Sequence, residues 1–469
     1  MLRVFDHYVP TRTVLQLGTD LVLLLTAAML AGSSVALLYG APQDPLGLLL
    51  MLLAPSLTFA ATMLLLFMAF GAYRRDRVCS LRTLLLCALL STFVSVGPLW
   101  FLIEHLFYPQ HNALRFLGLA YLYEFALLLL ARRAMIGAWA ARLWNRRVLV
   151  VGCGGDAAAV AGDLERHGGG GYELVGFYPS GHDETFAAPP PGPVFDTRET
   201  LSAMALQHGV DEIVVAVRDQ RGGVLPLRHL LECRTQGIPV YSLAAFSERM
   251  KGEVPLDSLK ASWLIYGNGF AQGWLRTTIK RSFDIVASLI LLSLSWWIML
   301  LAALAIMVED GAPVLFRQER VGRHGRSFQV LKFRSMRKDA EKDGVARWAQ
   351  ANDSRITRVG RFIRKTRIDE LPQLFNVLRG EMSLVGPRPE RPGFVEQLTE
   401  QIPFYAIRHS VKPGLTGWAQ VRFSYGASLA DARRKLQFDL YYVKNHSLLL
   451  DLQVLLETVR VVLFGEGAR

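Results

Sequence analysis

Apolar residues fill the first third of the chain in four blocks, at about 14–40, 46–72, 81–104 and 113–134. Each is near the ~20 residues that an α-helix needs to span a bilayer. From Arg146 the pattern changes. Short β-rich runs at Val148–Val151, "YELVGFYPS" (172–180), 212–217 and 238–242 alternate with helix-like stretches, which predicts a small doubly wound, Rossmann-like α/β module over 146–245. "APPPGP" at 188–193 reads as a surface loop. A fifth apolar run, Phe283–Val308, follows a linker at 246–276 that contains Gly267 and Gly269. Beyond it helical spacing returns. Arg358, Arg361 and Lys365 share one face opposite Phe362 and Ile363, and Leu371, Leu374, Phe375 and Leu378 form a stripe after Pro372. The pattern divides the chain into a four-helix transmembrane bundle (1–145), the α/β module (146–245), the linker (246–276) and a mostly α-helical domain (277–469).

Charge gives these blocks a direction. Of 469 residues 51% are hydrophobic, yet 52 Lys and Arg against 40 Asp and Glu leave a net charge of +12. Arg3 and Arg12 precede the first block. Arg74, Arg75, Arg77 and Arg82 lie between the second and third, and Arg132, Arg133, Arg142, Arg146 and Arg147 follow the fourth. The loops at 41–45 and 105–112 contain no Lys or Arg, so the positive-inside rule puts both ends of the bundle in the cytoplasm. The competing reading is four buried helices of a large soluble core. Nucleic acid is the other partner that a basic chain suits, but no DNA- or RNA-binding motif supports it. No convincing cleavage site follows the first block, which reads as an anchor. Cys79, Cys87, Cys153 and Cys233 are scattered, so neither a zinc site nor a disulfide framework is indicated.

The fifth run has basic residues on both flanks, Arg276, Lys280 and Arg281 before it and Arg317, Arg320 and Arg323 after it. That symmetry predicts a re-entrant helix over about 280–308, broken near Ser293–Ser295, which returns to the side it left. A fifth crossing competes on hydropathy alone. In the α/β module, Gly152, Gly154 and Ala157 fit G-x-G-x-x-A at a strand-to-helix turn. The second strand ends without the acidic residue that usually holds a ribose. A regulatory or dimerising module that binds no NAD is therefore expected, and a homodimer with it.

The candidate chemistry lies in "KTRIDELPQLFNVLRGEMSLVGPRPE" (365–390). Asp369 and Glu370 stand at the start of the Pro372 helix, where the macrodipole favours ionised carboxylates. A plain helix cap is the simplest explanation. Against it stands the density of cations, from Arg317, Arg320, Arg323, Lys332, Arg334 and Arg337 through Arg355, Arg358, Arg361, Arg364, Lys365 and Arg367 to Arg388 and Arg391. Ionised carboxylates among arginines and lysines suit phosphoryl transfer. One carboxylate can attack phosphorus, a neighbour can hold Mg²⁺, and arginines can grip phosphate oxygens.

"KRSFDIVASLILL", "FRQERVG", "KFRSM", "TRVGRFIRKTRIDELPQLFNVLRGEMSLVGPRPE", "RHSVKPGLTGWAQV" and "FDLYYVKNHSLLLDL" together resemble the bacterial sugar transferase family, the monotopic phosphoglycosyl transferases. The resemblance covers about 277–469. It implies transfer of a hexose-1-phosphate from a UDP-hexose to undecaprenyl phosphate, with UMP released. It also implies Mg²⁺ as cofactor and the bacterial inner membrane as location, with membrane lipids around the protein and the catalytic domain facing the cytoplasm. By resemblance Asp369 is the nucleophile, Glu370 the metal ligand and Arg388 a phosphate contact. Lys332 and Arg367 match basic positions of the active site, and Asp439 matches an acidic position without a fixed role. The family's re-entrant helix breaks at Ser-Pro, whereas this chain has Ser295-Trp296. The bundle and α/β module resemble the long form of the family, which initiates exopolysaccharide or O-antigen repeat units. "ASWLIYGNGF" (261–270) is similar to a subgroup associated with exopolysaccharide export. Two other readings are a membrane-bound nucleotide-sugar dehydratase or epimerase, for which no Y-x-x-x-K pair follows the module, and a non-catalytic polysaccharide-assembly scaffold. The sugar is not fixed by these residues.

Overall fold

The computed structural model describes residues 2–4, 7–9, 11–39, 45–73, 81–107, 112–135, 145–166, 172–180, 191–217, 225–256, 273–337, 355–423 and 428–464. The expected subgroup motif at 261–270, the loop residues 188–190 and Cys79 lie outside the described residues. The chain divides into two compact units, one essentially Val9–Phe246 and the other Ser247–Arg469, with residues 1–8 split between them. The short strands β1 (Leu2–Val4) and β2 (His7–Val9) open the chain.

In the first unit the four apolar blocks are helices α1 (Thr11–Tyr39), α2 (Pro45–Ala69), α3 (Leu81–Leu106) and α4 (Ala113–Met135). They share one core, in which Leu24, Phe59, Met63, Leu99, Phe116 and Leu128 are almost wholly buried. Large apolar side chains also cover the outside, with Leu37 87% and Phe93 82% exposed. A helix that is apolar on every face needs a nonaqueous surround. Among the described residues five helices are long and apolar enough to cross a membrane: Thr13–Leu38, Leu52–Ala69, Leu85–Leu106, Ala113–Ala131 and Trp274–Asp310. The chain is a membrane protein.

The α/β part of this unit is a four-stranded parallel sheet of β3 (Arg146–Val151), β4 (Tyr172–Tyr178), β5 (Glu212–Val215) and β6 (Val240–Ser242), in the order β4-β3-β5-β6. Val148–Val151 and Ile213–Val214 are buried, as strands covered on both faces must be. At the turn from β3 into the helix Gly155–Arg166, Gly152 has φ +122° and a Cβ there would meet the Ala216 carbonyl oxygen at 3.0 Å. Only glycine fits that approach.

The second unit is built along a helix of 37 residues, Trp274–Asp310, about 55 Å long at ~1.5 Å per residue. This corrects the sequence expectation of a break near Ser293–Ser295. The helix runs on uninterrupted while both hydroxyls bond back within it, Ser293 Oγ to the Ile290 carbonyl at 2.8 Å and Ser295 Oγ to the Leu291 carbonyl at 2.7 Å. With no proline at 296, no backbone N–H is lost from the helical ladder.

Both ends of that helix are tied to the same unit. Near its start, Lys280 Nζ lies 2.6 Å from Asp451, Arg281 donates to the Val377 and Leu378 carbonyls, and the buried Asp284 accepts from the Leu384 N–H. At its far end Arg334 donates to the Asp310 carbonyl at 3.0 Å and bonds that of Gly311. Between them Leu289, Ile290, Leu294, Trp296, Trp297 and Leu301 are all more than half exposed.

Strands β7 (Leu315–Val321) and β8 (Ser327–Phe333) form an antiparallel hairpin, and β9 (Ser383–Val385) pairs in parallel with β10 (Gly414–Thr416). Helices Pro392–Gln401, Leu429–Asn445 and Leu448–Phe464 complete the unit. Its core includes Val254 and Leu256, from the stretch expected to be a linker. That strap is bonded throughout. Glu248 accepts from Lys444 and Asn445, Trp418 Nε1 donates to the Gly252 carbonyl at 2.7 Å, and the Val254 N–H donates to the Gln437 carbonyl at 3.0 Å.

Candidate active site

The adjacent carboxylates do not open the following helix, as the sequence suggested. They occupy a separate 3-10 turn, Ile368–Glu370, between the helix Arg358–Lys365 and the helix Gln373–Arg379, with Pro372 as the N-cap of the latter. Arg367 enters the turn at φ 60°, a left-handed conformation that non-glycine residues seldom adopt and that marks functional sites more often than ordinary turns. The helix Gln373–Arg379 buries Gln373, Leu374, Asn376 and Val377 rather than the expected stripe with Phe375, which is exposed. The reason is Asn376. Its side chain accepts from the Leu331 N–H at 3.0 Å and donates to the Gln329 carbonyl at 2.7 Å, fastening the helix to β8. In the preceding helix Ile363 is buried while Phe362 is 62% exposed, so the basic face and Phe362 point outward together.

Four of the six residues singled out in the sequence meet at one oxygen. Glu370 Oε1 lies 2.9 Å from Arg388 Nη2, 3.3 Å from Lys332 Nζ and 3.8 Å from Arg367 Nη1. Lys332 comes from β8, Arg367 from the turn itself and Arg388 from the G-P-R-P loop after β9. Asp369, next in the chain, completes the site. Asp439 does not reach it. It is buried against Arg408, whose Nη2 lies 2.8 Å from its carboxylate, and burial pushes the Asp439 carboxyl up against the opposing pull of Arg408.

The two members of the pair are driven apart. Burial, then the neighbouring Glu370 charge, pushes the Asp369 carboxyl up to about 6, although Lys332, Arg364 and Arg367 oppose this. Burial also works against ionised Glu370, but Arg388, Lys332 and Arg367 outweigh it and hold that carboxyl well below the usual range. Lys332 is lowered by burial, with Glu370 acting in the other direction. Glu370 is thus a fixed anion inside a cation cluster, while Asp369 is a more basic carboxylate beside it. Such separation of two carboxyl groups is how sites assign them different roles.

Two arginines have roles that the sequence does not assign. Arg408 is buried and donates to the Arg388 carbonyl at 2.9 Å and to Tyr405 Oη at 2.9 Å. Arg320 donates to the Pro389 carbonyl at 3.0 Å and lies 3.6 Å from Glu390; burial is the main reason its pKa falls to about 10. Both support the G-P-R-P loop. Arg408 carries no signal beyond membership of "RHSVKPG", whereas Arg320 counts among the basic residues without a specific role.

Among the described residues no group of three or more His, Cys, Asp or Glu is placed to cage a metal ion. Magnesium does not need one, since it typically rests on one or two carboxylates together with substrate phosphates and water. Asp369 and Glu370 supply two such hard oxygen donors, and a resident cation would have to share Glu370 with three basic groups. The residues therefore fit a magnesium ion that is completed by a bound diphosphate.

Residues 275–465 match the family described as bacterial sugar transferase. The chain is 45% identical over 259 residues to the UDP-N-acetylgalactosamine-undecaprenyl-phosphate N-acetylgalactosaminephosphotransferase of Aeromonas hydrophila, covering 55% of this chain and 60% of that protein. It is 46% identical over 191 residues to the UDP-glucose:undecaprenyl-phosphate glucose-1-phosphate transferase of Caulobacter vibrioides, covering 40% and 71%. It is 33% identical over 356 residues to the UDP-galactose-lipid carrier transferase of Erwinia amylovora, covering 70% of each. The Asp369 turn, the cation cluster and the G-P-R-P loop all fall inside the matched region. With most of a relative's length matched at this identity, the chain belongs to the bacterial sugar transferase family.

Proposed function

We propose that the chain transfers a hexose-1-phosphate from a UDP-sugar to undecaprenyl phosphate and releases UMP, as the first membrane step in building a polysaccharide repeat unit. The convergence of Lys332, Arg367 and Arg388 on Glu370 beside Asp369 carries this reading. A carboxylate whose pKa is pushed up to about 6 is still ionised near neutrality and is more nucleophilic than an ordinary aspartate. Asp369 attacks the β-phosphorus, the bond to the UMP oxygen breaks, and an aspartyl phosphosugar forms. The phosphate of the lipid acceptor then attacks the same phosphorus and frees Asp369. Arg388 and Arg367 grip the phosphate oxygens, and Lys332 offsets the charge of the leaving group. Magnesium, held by Glu370 and Asp369, would supply further neutralisation of the diphosphate.

The same reading gives the long helix its path. A compact unit on one side of a bilayer cannot touch both ends of a helix that crosses a ~30 Å hydrocarbon layer, yet Lys280, Arg281 and Arg334 tie both ends to one unit. The unbroken helix lies shallow in one leaflet, along the cytoplasmic face of the inner membrane, with neither end crossing. That depth suits Trp296 and Trp297, which favour the interface. The Rossmann-like module serves regulation or dimerisation.

The test is UMP release by the purified full chain in liposomes containing undecaprenyl phosphate, against a panel of UDP-hexoses and UDP-N-acetylhexosamines. Turnover of at least one donor that requires the lipid, stops with EDTA and returns with Mg²⁺ is expected. Failure with every donor would reject the assignment.

A further inference from the structure

The Asp369 turn hangs from the last turns of the long helix. Ala302 and Ile306 of that helix form a small core with Phe333 and Ile363, and Ile368, the residue before Asp369, packs against it. Glu309 closes the joint. Its two carboxylate oxygens accept the backbone N–H groups of Arg358 at 2.7 Å and Val359 at 2.9 Å, the first two residues of the helix that leads to Asp369. Thr357 caps the same helix by accepting from the Gly360 N–H at 2.9 Å. Glu309 bonds no residue of the Asp369–Glu370 turn, so the site's chemistry does not explain it. Around the joint Val308 is 88%, Phe362 62% and Met307 51% exposed, an apolar rim suited to an acyl boundary.

We propose that Glu309 is a positioning residue: it locks the helix that carries Asp369 to the membrane-embedded helix and thereby sets the depth at which Asp369 meets the phosphate of the lipid acceptor. This rests on the transfer proposed above. The two substrates differ in a way that makes depth matter for only one of them. A UDP-sugar reaches the site from water at any height. The acceptor's phosphate is confined to the plane of the headgroups. A strut that fixes height is therefore needed for transfer to the lipid and not for attack on the donor. Thr357 also bonds Glu309 through its side chain, but the Ile306–Ile363 core does not involve Glu309 and still holds the helix when Glu309 is changed.

The experiment uses the full chain in proteoliposomes, with UMP release measured by rapid quench without acceptor and in steady state with undecaprenyl phosphate. Glu309→Ala is expected to leave the acceptor-free UMP burst and the donor KM within twofold of wild type. It should raise the acceptor KM about fivefold or more and slow acceptor-dependent turnover about tenfold. Glu309→Gln, which keeps an acceptor oxygen, should fall between the two. Equal losses in the burst and in acceptor-dependent turnover would reduce Glu309 to a structural cap, and so would rises of similar size in both KM values; no change in any of them would remove its role altogether. If Glu309→Ala does not fold, the same comparison is made with Glu309→Gln. A wild-type enzyme that shows no burst would refute the aspartyl intermediate, while the split between donor and acceptor KM would still decide the role of Glu309.

Discussion

Arg408 holds Arg388 by its main chain rather than by its charge: Arg408 Nη2 donates to the Arg388 carbonyl oxygen at 2.9 Å, leaving the Arg388 guanidinium to reach Glu370 at 2.9 Å. Asp439, on the helix Leu429–Asn445, balances Arg408 from behind. The loop that presents Arg388 is therefore held by a buried ion pair behind it.

Breaking that pair from one side should be costly. Asp439→Asn or Arg408→Met leaves a buried group without its counter-charge, a loss of about 3–5 kcal/mol in such pairs. Replacing both with apolar residues should cost less than either single change. Denaturant titration of the three variants checks this, and activity should fall in all of them because the Arg388 carbonyl loses its donor or the donor loses its orientation.

The dyad variants should differ in stability although both lose activity. Asp369→Asn removes a carboxylate that burial and Glu370 make unfavourable, so its melting temperature should equal or exceed that of wild type. Glu370→Gln leaves Lys332, Arg367 and Arg388 without their common anion, and its melting temperature should drop. UMP release should fall roughly 100-fold or more in each, on the order of 2.7 kcal/mol of barrier. Substantial turnover by Asp369→Asn would exclude it as nucleophile.

His409 gives a pH signature outside the dyad. Burial, then the Arg408 charge, lowers its pKa from 6.5 to about 4. The unfolded chain therefore binds more protons than the folded chain between those values, and stability falls as pH drops from about 6.5 towards 4. His409→Gln should flatten that part of the melting-temperature profile. An unchanged slope would mean that His409 is not its source.

The unbroken long helix reverses an expectation. Since the Ser293 and Ser295 hydroxyls bond within their own helix, Ser293→Ala with Ser295→Ala should keep activity within about twofold. Trp296→Pro should be damaging, because it removes a ladder hydrogen bond and costs about 3 kcal/mol or more. Cysteines placed singly at Thr278 and Ala312 should react with an impermeant thiol reagent only from the cytoplasmic side. Labelling of position 312 from the periplasm in intact cells would mean that the helix crosses.

What could be read from the sequence was what the chain writes contiguously. The four apolar helices, the four parallel strands, and Asp369 with Glu370, Arg388 and Lys332 all lie in runs whose pattern or motif is local. Arg408 and Arg320 were hidden among 52 basic residues, because their roles come from burial against distant carbonyls. Asn376 is one polar residue within "LFNVL", and only the approach of β8 makes it a fastener. Glu309 follows directly on the apolar run that ends at Val308. Its partners lie 49 and 50 residues on, and no periodicity reports such a distance.

The strap Ser247–Leu256 separates two kinds of boundary. The match to the sugar transferase family model begins at residue 275, but the packing of this unit begins earlier, because Trp418, Lys444 and Asn445 are completed by Gly252 and Glu248. At Gly252, with φ +65°, a Cβ would lie 2.9 Å from the Trp418 ring, so the indole has been fitted to bare backbone. A fragment cut at residue 275 would inherit a vacant seat beneath that indole, and an ammonium and an amide without their acid. Transplanting the transferase into another scaffold thus means carrying the strap along as part of the graft.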